Sequence, residues 1–428
     1  MQHSLRHVFM AWFPLALSFE LMMMEAPSLQ AAVGRLADPR LNLAAWGLTI
    51  SLSLLIESPV IMLLPTSIAL SRSRPAFDTL RRFVLRLCVA CTALTAALAL
   101  TPLYARVTEA IMRQPADIVE AARPALGIML LWTGAIGYRR FYQGLLVRAR
   151  QANRVSWGTG VRLVTVLATA VFLVRHGQMP GVQVAATAIM VGVISEAFVT
   201  RLFAREAVRD LDADDAEEAP LTTRDVVRFH TPLAATSLLT LLAPPITAAA
   251  VAWLPNAVDT LAAWPVAFGV MLVIRGGGLA LQEASVACAH DARARAPLHR
   301  FAWVVGVLTS AVAALLAFTP LLDLYLGAAL QVPLQLHPLV RRSTAICVAL
   351  PLFTALSSHL RGLLMIEKDT GGVYAGMGVG LVTQCAVLAL GVFLNIAGID
   401  VAGFGLMSAA IFEWLYLRMR IRRSASLA

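Results

Sequence analysis

The chain alternates long apolar runs with short polar segments from one end to the other. Each run holds about 20 residues or more, the length that an α-helix needs to cross a hydrocarbon core of about 30 Å. The pattern therefore predicts an all-α polytopic membrane protein. The predicted spans number twelve, over residues 9–34, 42–70, 83–106, 120–146, 157–177, 183–204, 228–253, 258–288, 301–326, 338–364, 373–397 and 400–420.

The first half of the sequence also matches the second half at one constant offset. This offset carries Leu43 to Trp46 onto Leu261 to Trp264, and Thr101 to Leu103 onto Thr319 to Leu321. The match predicts two homologous lobes of six transmembrane helices each, an N-lobe (1–204) and a C-lobe (228–428). Because six is an even number of spans, the repeats are expected to run parallel, an arrangement typical of transporters.

The only long polar stretch in the middle of the chain joins the two predicted lobes, over residues 205–227. It contains an acidic run from Asp210 to Glu218. A run of like charges of this kind favours a solvated cytoplasmic linker. Binding of calcium or of a partner protein is the alternative interpretation of the same run.

Composition agrees with a membrane protein. Of the 428 residues, 59% are hydrophobic and only 14% are charged, against about a quarter in soluble domains. The formal net charge is +10, and Lys368 is the only lysine. Most arginines lie in short loops between spans, so the charge indicates membrane topology and not a nucleic-acid partner.

The distribution of these arginines predicts the orientation of the chain. One set of alternate loops, together with the C-terminal tail, carries most of them, including the pairs Arg81-Arg82 and Arg422-Arg423. The rule that positive charge stays inside then places this set and both termini in the cytoplasm. We expect a multi-pass protein of the cell inner membrane, and a monomer.

No catalytic motif is visible in the sequence. It contains no Walker-type phosphate loop and no Ser/His/Asp set, and its five cysteines lie inside apolar runs, where they are expected to be buried and not to bind metal. We therefore predict that the chain is not an enzyme and needs no cofactor or metal. Without an ATP-binding module, concentrative transport would draw on a gradient, for example of protons or sodium ions.

Two stretches resemble the multidrug/oligosaccharidyl-lipid/polysaccharide exporter superfamily, whose best-known branch is the multidrug and toxic compound extrusion family. Arg361 to Thr370 is similar to the turn that follows the fourth helix of a lobe in that superfamily. The first lobe keeps Gly144 to Leu146 but has Gln151 to Asn153 where an Asp-Thr pair is expected. The resemblance implies twelve helices in two six-helix lobes around a central cavity.

A closer resemblance is to the progressive ankylosis protein family. Leu43 to Leu52, followed by Ser58-Pro59, is similar to the second-span pattern of that family. This resemblance implies export of small anions such as citrate, pyrophosphate or nucleotide. The multidrug branch implies proton- or sodium-coupled efflux of organic cations.

Four ionisable residues stand out within the predicted spans, where a charged side chain costs at least about 2.5–3.5 kcal/mol unless it faces a cavity or a partner. They are Glu20, Glu25, Glu57 and Arg275. Glu57 and Arg275 are one repeat apart, so they either face one another across the central cavity or pair locally, each in its own lobe. Arg275 precedes Gly276 to Gly278, which is expected to break the helix. All four are candidates for contact with a substrate or a coupling ion.

Glu25 lies two residues before Pro27, whose missing amide proton weakens the helix. It is expected either to carry a proton or to line the cavity as a hydrogen-bonded carboxyl. A second group, Arg139, Arg140, His359 and Arg361, is predicted to form a basic patch at the cytoplasmic mouth, since arginine binds carboxylates and phosphates through paired donors. Snorkelling to lipid headgroups is the alternative.

The resulting hypothesis is an exporter of a small organic or phosphate anion that works by alternating access between the two lobes. Its partners would be the small-molecule substrate, the lipid bilayer and a coupling proton or sodium ion. Proton- or sodium-coupled drug efflux and the flipping of a lipid-linked substrate are the alternatives within transport. A membrane scaffold or receptor without transport activity is the alternative from another class.

Overall fold

The computed structural model describes residues 5–211, 221–288, 292–367 and 369–427. Within these ranges every regular element is a helix. Eleven helices are long and apolar enough to cross a membrane, and a twelfth span is formed if the pair Leu334–Ile346 and Leu350–Ile366, bent by 45°, is taken as one. The predicted all-α fold is therefore confirmed. Most of the acidic run (212–218) and Lys368 lie outside the described residues.

The helices carry the labels α1 to α21 in chain order. They are α1 Leu5–Met23, α2 Glu25–Gly34, α3 Pro39–Ile61, α4 Leu63–Leu70, α5 Arg74–Leu100, α6 Leu103–Ala105, α7 Ala116–Ile128, α8 Trp132–Arg148, α9 Ala152–His176, α10 Gly181–Arg209, α11 Thr223–Leu241, α12 Ala243–Ala252, α13 Ala257–Ile274, α14 Gly276–Leu279, α15 Leu281–Cys288, α16 Ala292–Phe318, α17 Leu321–Leu324, α18 His337–Ile346, α19 Leu350–Ile366, α20 Thr370–Phe393 and α21 Gly398–Leu427. Two π-helical turns, Arg106–Ile111 and Tyr325–Leu330, and two 3-10 turns, Met129–Leu131 and Leu334–Leu336, complete the set.

The chain forms two compact units, whose bounds differ from those of the predicted lobes. The central unit covers Leu36–Pro245, and the terminal unit combines Met1–Arg35 with Ile246–Ala428. The first span of the sequence thus packs with the later half of the chain, while α11, which begins the second repeat, packs on α3 in the central unit. The lobe boundaries at residues 204 and 228 remain a prediction from the repeat.

Apolar packing and side-chain hydrogen bonds hold the first span in the terminal unit. Val8 belongs to a buried cluster with Leu281 and Leu298. The Trp12 ring lies edge-on to Phe301, with centroids 5.3 Å apart. Its indole N–H donates to the carbonyl of Gly277 at 2.8 Å. A Trp whose ring is packed and whose N–H is paired is a strong anchor.

The offset between the two halves recurs in the backbone. Positive φ values, which L-amino acids other than glycine seldom adopt, occur in three pairs of residues one repeat apart, and these pairs are Asp38 with Asn256, Arg113 with Gln331, and Gly177 with Asn395. The same turn geometry was therefore retained in both halves.

Close helix packing also recurs at this offset. A Cβ added to Gly144 would lie 2.5 Å from the Cβ of Ser67, and one added to Gly362 would lie 2.6 Å from the Cβ of Ser285. Both pairs are one repeat apart, so α8 meets α4 in the same way that α19 meets α15. The glycine is needed at each position because no side chain fits between the helices.

Candidate functional site

A buried ionic network centres on Glu196 in α10 of the central unit. The side chain of Glu196 is 0% exposed and forms an ion pair with Arg139 of α8. Arg162 of α9 lies 3.6 Å from the same carboxylate, measured from Nη1 to Oε2. Gln143 and Thr159 donate to Oε1 at 3.1 and 3.3 Å. The carboxylate therefore ties three helices together through four side chains.

Glu57 in α3 is the second buried carboxylate of this unit. It is 4% exposed and accepts a hydrogen bond of 2.8 Å from the indole N–H of Trp132. Arg140 interacts with it electrostatically but makes no hydrogen bond to it, and the Nε atom of Arg140 is buried without a partner. The Nε of Arg139 is also buried without a hydrogen-bond partner, so the two adjacent arginines differ in charge compensation: Arg139 forms an ion pair with Glu196, and no ion pair to Arg140 is present among the described residues.

These five residues leave the interior of the central unit with a positive charge. Arg139, Arg140 and Arg162 carry three cationic charges, and Glu57 and Glu196 carry two anionic charges when ionised, which leaves one positive charge. A buried cation in excess attracts an anion more strongly than it would in water, since the local dielectric constant is low.

In the terminal unit, two of the residues predicted at the mouth have partners within the unit. Arg361 of α19 forms a two-donor ion pair with Glu413 of α21, and its Nε lies 2.7 Å from Oε1. His359 is buried, and its Nδ1 lies 3.0 Å from the hydroxyl of Ser285. Both side chains therefore hold α19 in place.

Arg275 stands apart from the other arginines of the terminal unit. It follows the last residue of α13, and its guanidinium lies 5.3 Å from the centre of the Phe268 ring. Its Nε is buried without a hydrogen-bond partner. Within the described part of the chain, no carboxylate pairs with Arg275, and its electrostatic neighbours are Cys347 and Arg361. The helix is interrupted at Arg275, one residue before the predicted glycines, and Gly276 to Gly278 themselves lie in the short α14.

The two carboxylates of the first span have different surroundings. Glu20, near the end of α1, accepts a hydrogen bond of 2.8 Å from the amide of Gly277. Glu25 is buried and is the first residue of α2, where a carboxylate is stabilised by the helix dipole. Met24 separates the two helices, so the chain bends three residues before Pro27.

The predicted site residues divide between the units. Glu57, Arg139 and Arg140 belong to the central unit, and Glu20, Glu25, Arg275, His359 and Arg361 belong to the terminal unit. The predicted facing of Glu57 and Arg275 involves both units and stays a prediction, as do the transport roles of all eight residues. Among the described residues, no group of three His, Cys, Asp or Glu side chains is placed to hold a metal ion.

Three residues that contact this network, Arg162, Gln143 and Trp132, were not predicted from the sequence. Arg162 and Gln143 both contact Glu196, which pairs with the predicted residue Arg139. Trp132 donates a hydrogen bond to the predicted residue Glu57. The sequence feature that could have indicated these contacts is a glutamate that occurs in both repeats. Glu196 and Glu413 are separated by one residue less than the repeat offset. This recurrence marks a carboxylate that both halves need for packing.

Solved structures of known transporters share this fold over almost the whole chain. An inward-facing multidrug resistance MATE family transporter of the MOP superfamily matches with a TM-score of 0.68 and 16% identity, over 97% of this chain and 98% of that one. A MOP superfamily transporter from Pyrococcus furiosus matches at 0.64 and 17%, over 97% and 95%. The lipid II flippase MurJ in an inward closed conformation matches at 0.71 and 11%, over 96% and 87%.

The chain therefore has the fold of the multi-pass membrane transporters of the MOP superfamily, and these structural neighbours are transporters and not enzymes. No protein-family model and no curated protein matches the sequence. Sequence identities as low as those of these three structures establish the fold alone. The substrate has to be argued from the residues of this chain.

Proposed function

We propose that this protein exports a small organic or phosphate anion by alternating access between its two repeats. The observation that carries the proposal is Arg275, a cation directly after the candidate membrane span Ala257–Ile274 that has no carboxylate partner among the described residues. An anion bound there would supply the missing charge.

The arginines of this protein differ in how their positive charge is compensated. A charged side chain in a membrane span costs at least about 2.5–3.5 kcal/mol unless a partner or water compensates it. Arg139 and Arg361 meet this requirement through Glu196 and Glu413. Among the described residues, the partner of the Arg275 guanidinium is the face of the Phe268 ring, a weaker interaction than an ion pair. A carboxylate or phosphate could bind it through paired N–H donors, which arginine presents in a planar fork.

Arg140 supports the same sign of substrate in the central unit, where its unused Nε donor lies in an interior with excess positive charge. The anionic substrates implied by the resemblance to the progressive ankylosis family agree with this sign. One structural neighbour is itself described as having a binding pocket of reverse polarity that suggests a different function. We place the protein in the cell inner membrane, with both termini in the cytoplasm.

Glu57 favours the second candidate, coupled efflux of organic cations. Its buried carboxylate accepts one hydrogen bond, from Trp132, and protonation would remove the negative charge that interacts with Arg140. The likeness to MATE transporters supports this candidate, and the likeness to MurJ supports a flippase. Neither candidate accounts for the uncompensated charge of Arg275 as directly as a small anion does.

Efflux from proteoliposomes tests the proposal. Vesicles are loaded with citrate, pyrophosphate or ATP in one series and with a cationic dye in another, and external pH and sodium are varied. We expect loss of at least one anion, and we expect Arg275→Gln to reduce that loss about tenfold or more, because the glutamine lacks the charged fork. Arg82→Gln, at an exposed arginine of α5, is the matched control and should transport normally.

Two results would contradict the proposal. One is gradient-dependent efflux of the dye, lost in Glu57→Gln, without efflux of any anion. The other is anion efflux that is the same in Arg275→Gln as in the native protein.

A further inference from the structure

At the break between α13 and α14, the amide and the carbonyl of Gly277 are hydrogen-bonded to side chains and not to the helix backbone. α13 ends at Ile274, and Arg275 separates it from the short α14. The amide of Gly277 donates to Oε1 of Glu20 at 2.8 Å, and its carbonyl accepts from Nε1 of Trp12 at 2.8 Å. Both polar groups of one residue are thus paired with side chains of α1.

Glycine allows this close approach. A Cβ on Gly276 would lie 2.7 Å from Oε1 of Glu20, and a Cβ on Gly277 would lie 3.0 Å from the indole ring of Trp12. The run of glycines after Arg275 therefore does more than loosen the helix, because it lets α1 reach the backbone.

The other repeat shows what happens when the amide is absent. Pro59 occupies the position equivalent to Gly277, and a proline has no N–H to satisfy. Its carbonyl still has a partner, since His230, the equivalent of Trp12, lies 2.9 Å away through Nε2. The equivalent of Glu20 is Leu238, which offers no acceptor. The carboxylate is present in the repeat that has the amide and absent from the repeat that lacks it.

We infer that Glu20 is a positioning residue, which caps the Gly277 amide and so fixes the helix break that carries Arg275. Its task is to accept a hydrogen bond, and it does not bind the substrate or carry a coupling ion, the roles expected of it from the sequence. The consequence for transport rests on the proposed function, because Arg275 lies two residues before the capped amide. The cap itself is independent of any substrate.

A set of variants at positions 20 and 277 tests the cap in the full-length protein. Glu20→Leu introduces the residue found in the other repeat and leaves the Gly277 amide without a partner. We expect amide exchange in residues 275–279 to accelerate about tenfold or more, since a hydrogen bond to a charged group is lost. Glu20→Gln keeps an acceptor oxygen and should exchange within about threefold of the native protein.

Gly277→Pro removes the amide and reproduces the other repeat more fully. In a Gly277→Pro background, Glu20→Leu is expected to cause no further loss of thermal stability. Gly277→Ala is the matched control, because it adds a Cβ but keeps the amide, and in that background Glu20→Leu should remain damaging. If Glu20→Leu alone does not fold, the double variant with Gly277→Pro is still expected to yield folded protein.

Transport gives a readout that a general loss of stability would not. For an exported anion, we expect Glu20→Leu to raise KM several-fold with a smaller change in kcat, and Glu20→Gln to restore the native KM. The cap is refuted if exchange near residue 277 is unchanged in Glu20→Leu, or if that variant is equally damaging in the Gly277→Pro and Gly277→Ala backgrounds. Faster exchange without any anion transport would support the cap and contradict the proposed function instead.

Discussion

The two ion pairs that join the fourth and sixth spans of each repeat use the same acid but place the arginine differently. Glu196 and Glu413 are equivalent after a gap of one position, whereas Arg139 is equivalent to Ser357, and Arg361 is equivalent to Gln143. The arginine has thus moved by four residues, about one helical turn, and still reaches the carboxylate. The contact between the spans is shared, while the residue that supplies the charge is not.

This difference separates structural charges from candidates for transport. A charge that recurs with its partner, even with a shifted position, holds helices together. Glu57 and Arg275 occupy equivalent positions with opposite charge, so helix packing does not explain both. At this position the two repeats have diverged in the sign of the charge.

The largest effect is expected at the more buried of the two pairs. Glu196→Gln would leave the buried Arg139 without its counterion, at a cost of about 3–5 kcal/mol of folding stability. Glu413→Gln should cost less, since Arg361 and Glu413 are 19% and 12% exposed and water screens the remaining charge. Thermal unfolding of the two purified variants measures the difference. Equal losses would show that the two pairs are equivalent in energy as well as in position.

The glycines of the fourth spans are expected to give the next largest effect. Gly144→Ala and Gly362→Ala each force a methyl group against a facing helix, and each should cost about 1–3 kcal/mol. Gly160→Ala is the control, because nothing lies within 4 Å of an added Cβ there, and it should be neutral or stabilising by up to about 1 kcal/mol. Thermal unfolding again provides the measurement. A marked difference between Gly144→Ala and Gly362→Ala would contradict the structural repeat at these contacts.

The smallest effect is expected where α20 begins. Asp369 caps this helix by accepting from the Gly372 amide at 2.9 Å, and Arg420 donates to the same carboxylate. The hydrogen bond from Arg420, followed by that from Gly372, lowers the pKa of Asp369. Asp369→Ala should cost about 0.5 kcal/mol near neutral pH. Gln151, the equivalent residue before α9, makes no capping hydrogen bond, so Gln151→Ala should cost less.

The pH dependence of this effect has a definite sign. A carboxyl whose pKa is lowered by folding contributes stability above its unfolded pKa, near 3.9, and loses it as pH falls through the folded pKa. The stability difference between the native protein and Asp369→Ala should therefore be present at pH 7 and shrink in acid below about pH 4. Thermal unfolding across this range measures it, and a difference that grows in acid would contradict the assigned hydrogen bonds.

The sequence predicted the all-α membrane fold and the recurrence of turns and glycines at one offset, because these depend on local composition and on a constant offset. It predicted twelve spans, and the described residues form eleven, or twelve if the bent pair is one span. The pairing of α1 with the terminal unit was not predicted. It depends on Trp12 reaching a carbonyl 265 residues away, and its equivalent in the repeat is a histidine. The pairing of Glu196 with Arg139 was also not predicted. The corresponding arginine of the other repeat, Arg361, lies one helical turn away from the position equivalent to Arg139, so the two arginines do not align at a constant offset.

We propose that an anion binds at Arg275. The most direct measurement is the thermal stability of the purified protein with pyrophosphate or citrate, compared with equal concentrations of organic cations, in the native protein and in Arg275→Gln. A ligand at about 100 times its Kd adds about 2.7 kcal/mol of stability. We predict stabilisation of the native protein by an anion and its loss in Arg275→Gln. Stabilisation by cations alone, or by an anion equally in both proteins, would contradict the claim.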